Sequence, residues 1–129
     1  MQRIKSYKYG EDIAENSVVK FSEENVVVKC KSPLDKPCGV ALFAGKQGAI
    51  GDVVRAGEVL VNTSGAVAAG DLVMADEDAK ACSFTLDAEV FTSASASTLM
   101  AYTVGQIEES ATTDAKLWLQ VNIAPVKVK

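Results

Sequence analysis

The sequence predicts an all-β fold, a small single-domain β-barrel or β-sandwich of short antiparallel strands with an extended N-terminal arm. Its apolar runs are short and rich in Val, which favours strands, and turn residues separate them at regular intervals. A Gly-Asp turn followed by an apolar pair occurs twice, at Gly51 and at Gly70. Hydrophobic residues form 48% of the chain but aromatic residues only 6%, so Val, Ala and Leu must fill the core. A chain of 129 residues has the usual size of one domain.

Charge divides the chain into an arm, a body and a tail. Residues 1–16 are predicted to form an extended basic arm, because residues 1–10 contain three basic side chains and no acidic one. Residues 17–124 form the predicted barrel-like body, and residues 125–129 form a C-terminal tail. All 17 acidic residues but only eight of the 13 basic residues lie between positions 11 and 126. A basic arm on an acidic body is therefore expected, the alternative being solvated termini that have no function. Removal of residues 1–10 is expected to leave the body folded.

The predicted strands begin with a hairpin and continue as a meander. Strands 17–21 and 25–30 flank a polar turn at residues 22–24. The apolar run 37–43 is predicted to be buried on both faces, and Gly57 is expected to separate two short strands. The full predicted set is 17–21, 25–30, 37–43, 52–55, 58–62, 66–68, 71–75, 80–86, 89–92, 102–108 and 116–124.

The end of the chain has the clearest strand pattern. Residues 93–98 alternate Ser or Thr with Ala, which is typical of an exposed loop. Residues 116–124 alternate apolar and polar side chains with period two, and the single tryptophan, Trp118, lies on the polar side. Exposed tryptophans are enriched at interfaces. Trp118 is therefore predicted to lie in a subunit or partner contact, the alternative being that it covers a loop of its own domain.

The sequence offers no catalytic constellation. It contains no histidine, the commonest general base and metal ligand. Cys30, Cys38 and Cys82 are odd in number and include no Cys-x-x-Cys pair, so they are interpreted as buried thiols rather than as a disulfide framework or a zinc site. The acidic run 76–78 lacks the spacing of a calcium loop and is interpreted as a solvated turn. No enzymatic activity, metal or cofactor is expected.

Charge and hydropathy also limit the partners. A net charge of −4 disfavours binding to nucleic acid, which depends on clustered Lys and Arg. No apolar stretch approaches the ~18 residues of a membrane-spanning helix, and residues 1–10 lack the apolar centre of a secretory leader. We therefore expect a soluble protein made in a reducing cytoplasm, without nucleic acid or membrane as a partner.

Several turn-and-strand motifs occur in an order that resembles the small capsid cement (head decoration) proteins of tailed bacteriophages. They are 39–43 (Gly-Val-Ala-Leu-Phe), 51–54 (Gly-Asp-Val-Val), 65–73 (Gly-Ala-Val-Ala-Ala-Gly-Asp-Leu-Val), 104–107 (Val-Gly-Gln-Ile) and the strand 117–123. The resemblance covers roughly residues 37–124. The insert at 93–98 and the longer N-terminal region depart from the shortest members of that family.

The resemblance implies a compact β-barrel-like module on the outer surface of an expanded phage head. Such a module is a virion protein made in the host cytoplasm, commonly a homotrimer, whose partner is the major capsid protein and which needs no cofactor. The basic and aromatic N-terminal segment has the parts for strand addition onto a neighbour. The residues expected to contact the capsid are Arg3, Ile4, Lys5, Tyr7 and Tyr9. Trp118 is expected at a subunit or capsid contact.

A different function class stays open at this point. Residues 51–60 also resemble the Gly-Asp-x-Val-x-x-Gly turn of lipoyl and biotinyl carrier domains, which are small β-sandwiches. Those domains carry a modified Lys at a hairpin tip between particular neighbours. Lys80 stands between Ala79 and Ala81, and no Met-Lys-Met or Asp-Lys-Ala sequence is present. The carrier or adaptor hypothesis is therefore the alternative to the cement protein.

Overall fold

The computed structural model describes residues 2–84 and 100–127, and these residues form nine β-strands and no helix. The strands are β1 (Arg3–Tyr9), β2 (Val18–Glu23), β3 (Val26–Lys29), β4 (Gly39–Ala41), β5 (Ile50–Thr63), β6 (Leu72–Ala75), β7 (Ala81–Ser83), β8 (Met100–Ile107) and β9 (Ala115–Lys127). The predicted all-β fold is confirmed. The predicted strand 89–92 and loop 93–98 lie outside the described residues.

The N-terminal half of the chain closes into a five-stranded barrel. Strands β1, β3, β2, β4 and the first part of β5 are hydrogen-bonded in that order, and β1 returns to β5 to close the ring. The closing pair is antiparallel and runs from Arg3 opposite Ala56 to Lys8 opposite Ile50. β1 also pairs in parallel with β3. The first strand of the chain is therefore the piece that completes this barrel.

The C-terminal half is built on the other end of β5. The residues from Gly57 to Thr63 pair antiparallel with β9, from Gly57 opposite Val121 to Thr63 opposite Ala115. β8 pairs with β9, β6 with β8 and β7 with β6, and β7 returns to β5 at Thr63 opposite Ala81. The 14-residue strand β5 thus belongs to both halves.

Gly57 marks the point where β5 passes from one half to the other. Its φ is +96°, in the left-handed region that favours glycine. Val54 and Val59 are five positions apart, a separation that places side chains on opposite faces of a regular strand, yet both lie in the same core cluster. The expected strand break at Gly57 is wrong, because each side of this residue has its own pairing partners and the strand continues through it.

Two core clusters lie on opposite faces of β2, β4 and β5. One surrounds Tyr7 and Tyr9 and includes Ala41 from β4. The larger, Val-rich cluster includes Val40 from the same strand. Adjacent residues therefore face different clusters, which confirms burial on both faces for residues 37–41. The prediction is wrong at the end of the run, where Phe43 is 58% exposed. The regular strand within that run is shorter than predicted and covers only Gly39–Ala41.

Two other predicted boundaries differ from the structure. Residues 66–68 form a single bridge, Val67 opposite Ala111, rather than a strand. At the C-terminus β9 extends to Lys127, so that residues 125–127, predicted as tail, pair with the start of β8. The predicted alternation in the last strand is confirmed, since Leu117, Leu119 and Val121 are buried.

Candidate interaction surface

Strand β1 presents two kinds of side chain. Arg3, Ile4 and Lys5 are exposed, whereas Tyr7 and Tyr9 are 3% and 1% exposed. The segment predicted as an extended arm is therefore paired in the sheet over residues 3–9, with its aromatic side chains in the core. Contact of these five residues with a capsid stays a prediction, and in this conformation only the first three present a surface to another molecule.

Tyr9 is fixed inside the barrel by a hydrogen bond from its hydroxyl and by close packing of its ring against Gly51. The Oη atom donates a hydrogen bond of 2.7 Å to the carbonyl oxygen of Phe43. Gly51 lies so close to the ring that an added Cβ would overlap the Tyr9 hydroxyl. Burial, together with the nearby Asp52 carboxylate, raises the pKa of Tyr9. Tyr9 is thus a neutral, buried anchor for β1.

Tyr7 connects the core to an aromatic and cationic stack on the surface. The ring of Phe21 meets Tyr7 edge to face, with 5.2 Å between the ring centroids. The Arg55 guanidinium carbon lies 5.6 Å from the centroid of Phe21, and Lys5 Nζ lies 5.8 Å from that of Tyr7. These distances allow cation–π attraction. At this place β1 and β5 supply the cations, and β1 and β2 supply the aromatic rings beneath them.

A groove of about 630 Å³ adjoins this stack. Three cationic residues line it, Arg3 from β1, Lys36 from the loop before β4, and Arg55 from β5. Apolar side chains complete its lining, and these are Phe21, Pro37 and Ile123. Cys38 also lines the groove but is buried. We refer to this surface as the cationic groove.

Among the residues that the structure describes, the cations of this groove lack the ion pairs that four lysines make elsewhere. Within residues 2–84 and 100–127, ion pairs join Lys20 to Asp35, Lys29 to Glu11, Lys80 to Asp114 and Lys116 to Glu15. No carboxylate oxygen in those ranges lies within 4.0 Å of the charged nitrogens of Arg3, Lys36 or Arg55. The groove therefore concentrates positive charge on a chain whose net charge is −4.

Trp118 stands on a different surface, the outer face of β9. Trp118 is 43% exposed and lies opposite Leu60 in the β5–β9 pair. The Trp118 backbone is held by Glu108 and Glu109, since its carbonyl accepts from the Glu108 N–H at 2.9 Å and its N–H donates to Glu109 Oε1 at 3.2 Å. Trp118 therefore lies with the polar set of the strand as predicted, and its role in an interface stays a prediction.

The thiols are poor nucleophiles. Burial is the main cause that raises the pKa of Cys30 to about 12 and the pKa of Cys38 and Cys82 to about 11. A thiol with such a pKa is almost entirely protonated at neutral pH. The interpretation of Cys38 as a packing residue agrees with this environment.

The acidic turn has a structural role. Asp76 accepts hydrogen bonds from Ser64 Oγ at 2.5 Å and from the backbone N–H groups of Asp78 and Lys80. Among the residues that the structure describes, no group of three or more His, Cys, Asp or Glu side chains is placed to hold a metal ion. The same residues contain no helix long and apolar enough to cross a membrane.

The geometry also bears on the carrier hypothesis. Residues 51–60 lie within the continuous strand β5, so the turn that resembled lipoyl and biotinyl domains is not formed there. Lys80 lies beside the turn between β6 and β7, and its Nζ is 3.3 Å from Asp114 Oδ2. The structure thus gives no support to residues 51–60 as a carrier-domain turn.

The sequence model of the phage cement protein family matches residues 2–119. The chain belongs to the phage cement protein family. Among solved structures, the N base of head fibre gp8.5 in bacteriophage phi29 is similar to this cement protein, with a TM-score of 0.67, 13% sequence identity and 95% of each chain covered. At that identity the likeness shows the fold alone. No curated protein matches the chain.

Sequence reasoning missed part of the surface of this cement protein. Lys36, Arg55 and Phe21 were not among the predicted site residues, although they share a groove with Arg3. They are separated by more than ten positions in the chain, and only the closure of the barrel brings them together. One signal was present, because Arg55 interrupts an apolar segment at residues 53–56.

Proposed function

We propose that this cement protein is a non-enzymatic virion protein that binds the outer surface of the expanded capsid and stabilises the head. The observation that carries the proposal is the family match over residues 2–119. The buried, protonated thiols and the absence of histidine from the sequence also favour a structural role. The proposed partner is the major capsid protein, and no cofactor takes part.

The proposed capsid contacts include the exposed side chains of β1. Arg3, Ile4 and Lys5 face solvent, and 47% of Ile4 is exposed. Tyr7 and Tyr9 support this contact from within by fixing β1 in the barrel. Ile4 and Lys5 are adjacent in a strand, so their side chains point to opposite sides, and β1 offers apolar surface on one side and charge on the other.

The proposed assembly on the head is a homotrimer, with Trp118 at a contact between subunits or with the capsid. Large aromatic side chains such as Trp often carry much of the binding energy at an interface. Linking three weak capsid contacts raises avidity by about a hundredfold or more when all three engage together. A trimer would therefore hold a capsid more firmly than a single copy with the same contacts.

Head stability tests this function directly. DNA-filled heads without their cement protein are mixed with the purified chain, and the temperature at which they release DNA is measured. Stabilisation predicts a release temperature that rises with added protein and reaches a plateau. An unchanged release temperature at saturating protein would contradict a stabilising role.

A further inference from the structure

We infer that the cationic groove binds an acidic, extended segment of the capsid shell protein. This inference rests on the proposed function and adds the chemistry of the partner. The groove is lined by Arg3, Lys36 and Arg55 and has a volume of about 630 Å³. Ligand pockets commonly measure about 300–1,000 Å³, so the groove can enclose a short stretch of a partner.

The groove brings three positive charges together. Three cations converge from separate elements, and none has a carboxylate of the described chain within 4.0 Å. Like charges brought together repel each other, and an anion placed among them relieves that repulsion. Four lysines elsewhere are instead paired with acids. The groove therefore favours a ligand that supplies carboxylates.

The groove also combines charge with apolar surface. Phe21, Pro37 and Ile123 contribute to the lining between and around the cations. Arg55 lies over the Phe21 ring at 5.6 Å, and a guanidinium that stacks on an aromatic face can still offer its N–H edge to a carboxylate. A ligand with both acidic and apolar side chains, such as an extended peptide, uses both parts of this surface.

The surface next to the groove favours a peptide over a nucleic acid as the ligand. A second depression shares Phe21 and Arg55 with the groove, and it is lined by Glu23 and Glu24 together with Lys5. A nucleic-acid strand carries a charge at every phosphate and would meet these carboxylates beyond the groove. An acidic segment short enough to stay within the groove avoids these carboxylates. The acidic body of the chain adds repulsion to any long polyanion.

Binding to expanded, undecorated heads of the phage tests the inference. The groove variant R3Q/K36Q/R55Q removes the three charges and keeps an unbranched, polar side chain at each position. Its control, K8Q/K31Q/K46Q, removes three charges from exposed residues outside the groove. Circular dichroism and thermal unfolding establish that both variants fold.

We expect the groove variant to lose at least tenfold in affinity for heads, and the control to stay within twofold of the wild type. Added salt should weaken the wild type more than the groove variant, because screening acts on the groove charges. Equal binding by all three proteins would overturn the groove assignment. Equal loss in both variants would overturn it as well, since net charge alone would then explain the effect.

A titration without heads separates this inference from the proposed function. The probes are a peptide of alternating Glu and Leu, its Gln counterpart, and a single-stranded oligonucleotide of the same charge. We expect saturable binding of the Glu peptide to the wild type, at least tenfold weaker binding to R3Q/K36Q/R55Q, and weaker binding of both other probes. Failure of the wild type to bind heads would contradict the proposed function alone. Failure of the wild type to prefer the Glu peptide over the other two probes would contradict the assignment of the groove as a site for an acidic peptide.

Discussion

The Tyr9 hydroxyl donates a 2.7 Å hydrogen bond to the Phe43 carbonyl, joining the first strand of the chain to the loop that follows β4. Tyr9 belongs to β1, which closes the N-terminal barrel by pairing with β5 on one side and with β3 on the other. A chain without residues 1–10 would lack one of the five barrel strands. The expectation that the body stays folded after this truncation therefore does not agree with the pairing of β1.

Tyr9→Phe tests the anchor. The substitution removes the hydrogen bond and leaves the Phe43 carbonyl without that donor, so we expect the free energy of unfolding to fall by about 1–2 kcal/mol. Tyr7→Phe is the matched control, since it keeps the ring contact with Phe21, and the Tyr7 hydroxyl makes no hydrogen bond within residues 2–84 and 100–127. Urea denaturation measures both variants. A loss of stability that is no greater for Tyr9→Phe than for Tyr7→Phe would contradict the anchoring role.

Gly57→Ala tests whether β5 needs a glycine where it continues from the N-terminal half into the C-terminal half. An L side chain at φ near +96° meets an unfavourable backbone conformation, and we expect a loss of about 1–2 kcal/mol in stability. Gly48→Ala is a useful comparison, because Gly48 has a similar φ but lies in an exposed loop with open space around it. We expect Gly57→Ala to be the more damaging in thermal unfolding. The reverse order would show that β5 tolerates a side chain at position 57.

Alkaline pH should destabilise the fold. The folded pKa of Cys30 is about 12 and that of Cys38 about 11, against an ordinary value of 9.0, and burial is the main cause in both. Raised folded values mean that the stability from neutral thiols is complete below pH 9 and is lost as pH rises toward 11–12. In that window each thiol lowers the free energy of unfolding by up to about 1.4 kcal/mol per pH unit. Denaturation between pH 8 and 11 measures this loss.

A control isolates the thiols from the other groups that titrate in the same range. Cys30→Ala and Cys38→Ala each remove one thiol, and the double variant removes both. We expect the variants to be less stable at pH 8 because each leaves a small cavity. Their stability should nevertheless fall less steeply with pH. A slope equal to that of the wild type would show that the thiols do not cause the alkaline loss.

Trp118→Ala tests the proposed contact on β9. The residue is 43% exposed, so we expect a change of under about 1 kcal/mol in the unfolding free energy of the isolated chain. Binding to heads or self-association should weaken by tenfold or more, as for an interface anchor. Sedimentation velocity and head binding measure the two effects. Gln120→Ala, two positions along the same outer face, is the control, and equal effects of both substitutions would contradict an anchor at Trp118.

Strands with one buried and one exposed face were predictable from the alternation of apolar and polar side chains. The alternation around Trp118 identified β9 because one face of that strand is buried and the other is not. The basic charge of residues 1–10 pointed instead to an arm, although Tyr7 and Tyr9 already alternate with Lys8 at strand spacing. Charge was the weaker guide, because cations on the exposed side of a strand are compatible with aromatic residues on its buried side.

Features that depend on tertiary closure were not predictable in the same way. The sequence predicts a separation of two strands at Gly57, because no local pattern indicates that two sets of partner strands meet there. The cationic groove combines Arg3, Lys36 and Arg55, which become neighbours only when β1 closes the barrel against β5. The family resemblance succeeded for a different reason, since it depends on the order of several turn-and-strand motifs rather than on one contact.

Co-sedimentation with expanded, undecorated heads tests the central claim most directly. Purified protein is added at increasing concentration, and the bound copies per capsid subunit are counted in the pellet. A cement protein predicts saturable binding at a fixed ratio set by the symmetry of the head. No binding above the level of an unrelated acidic protein, or binding that increases without a plateau, would contradict capsid binding by this chain.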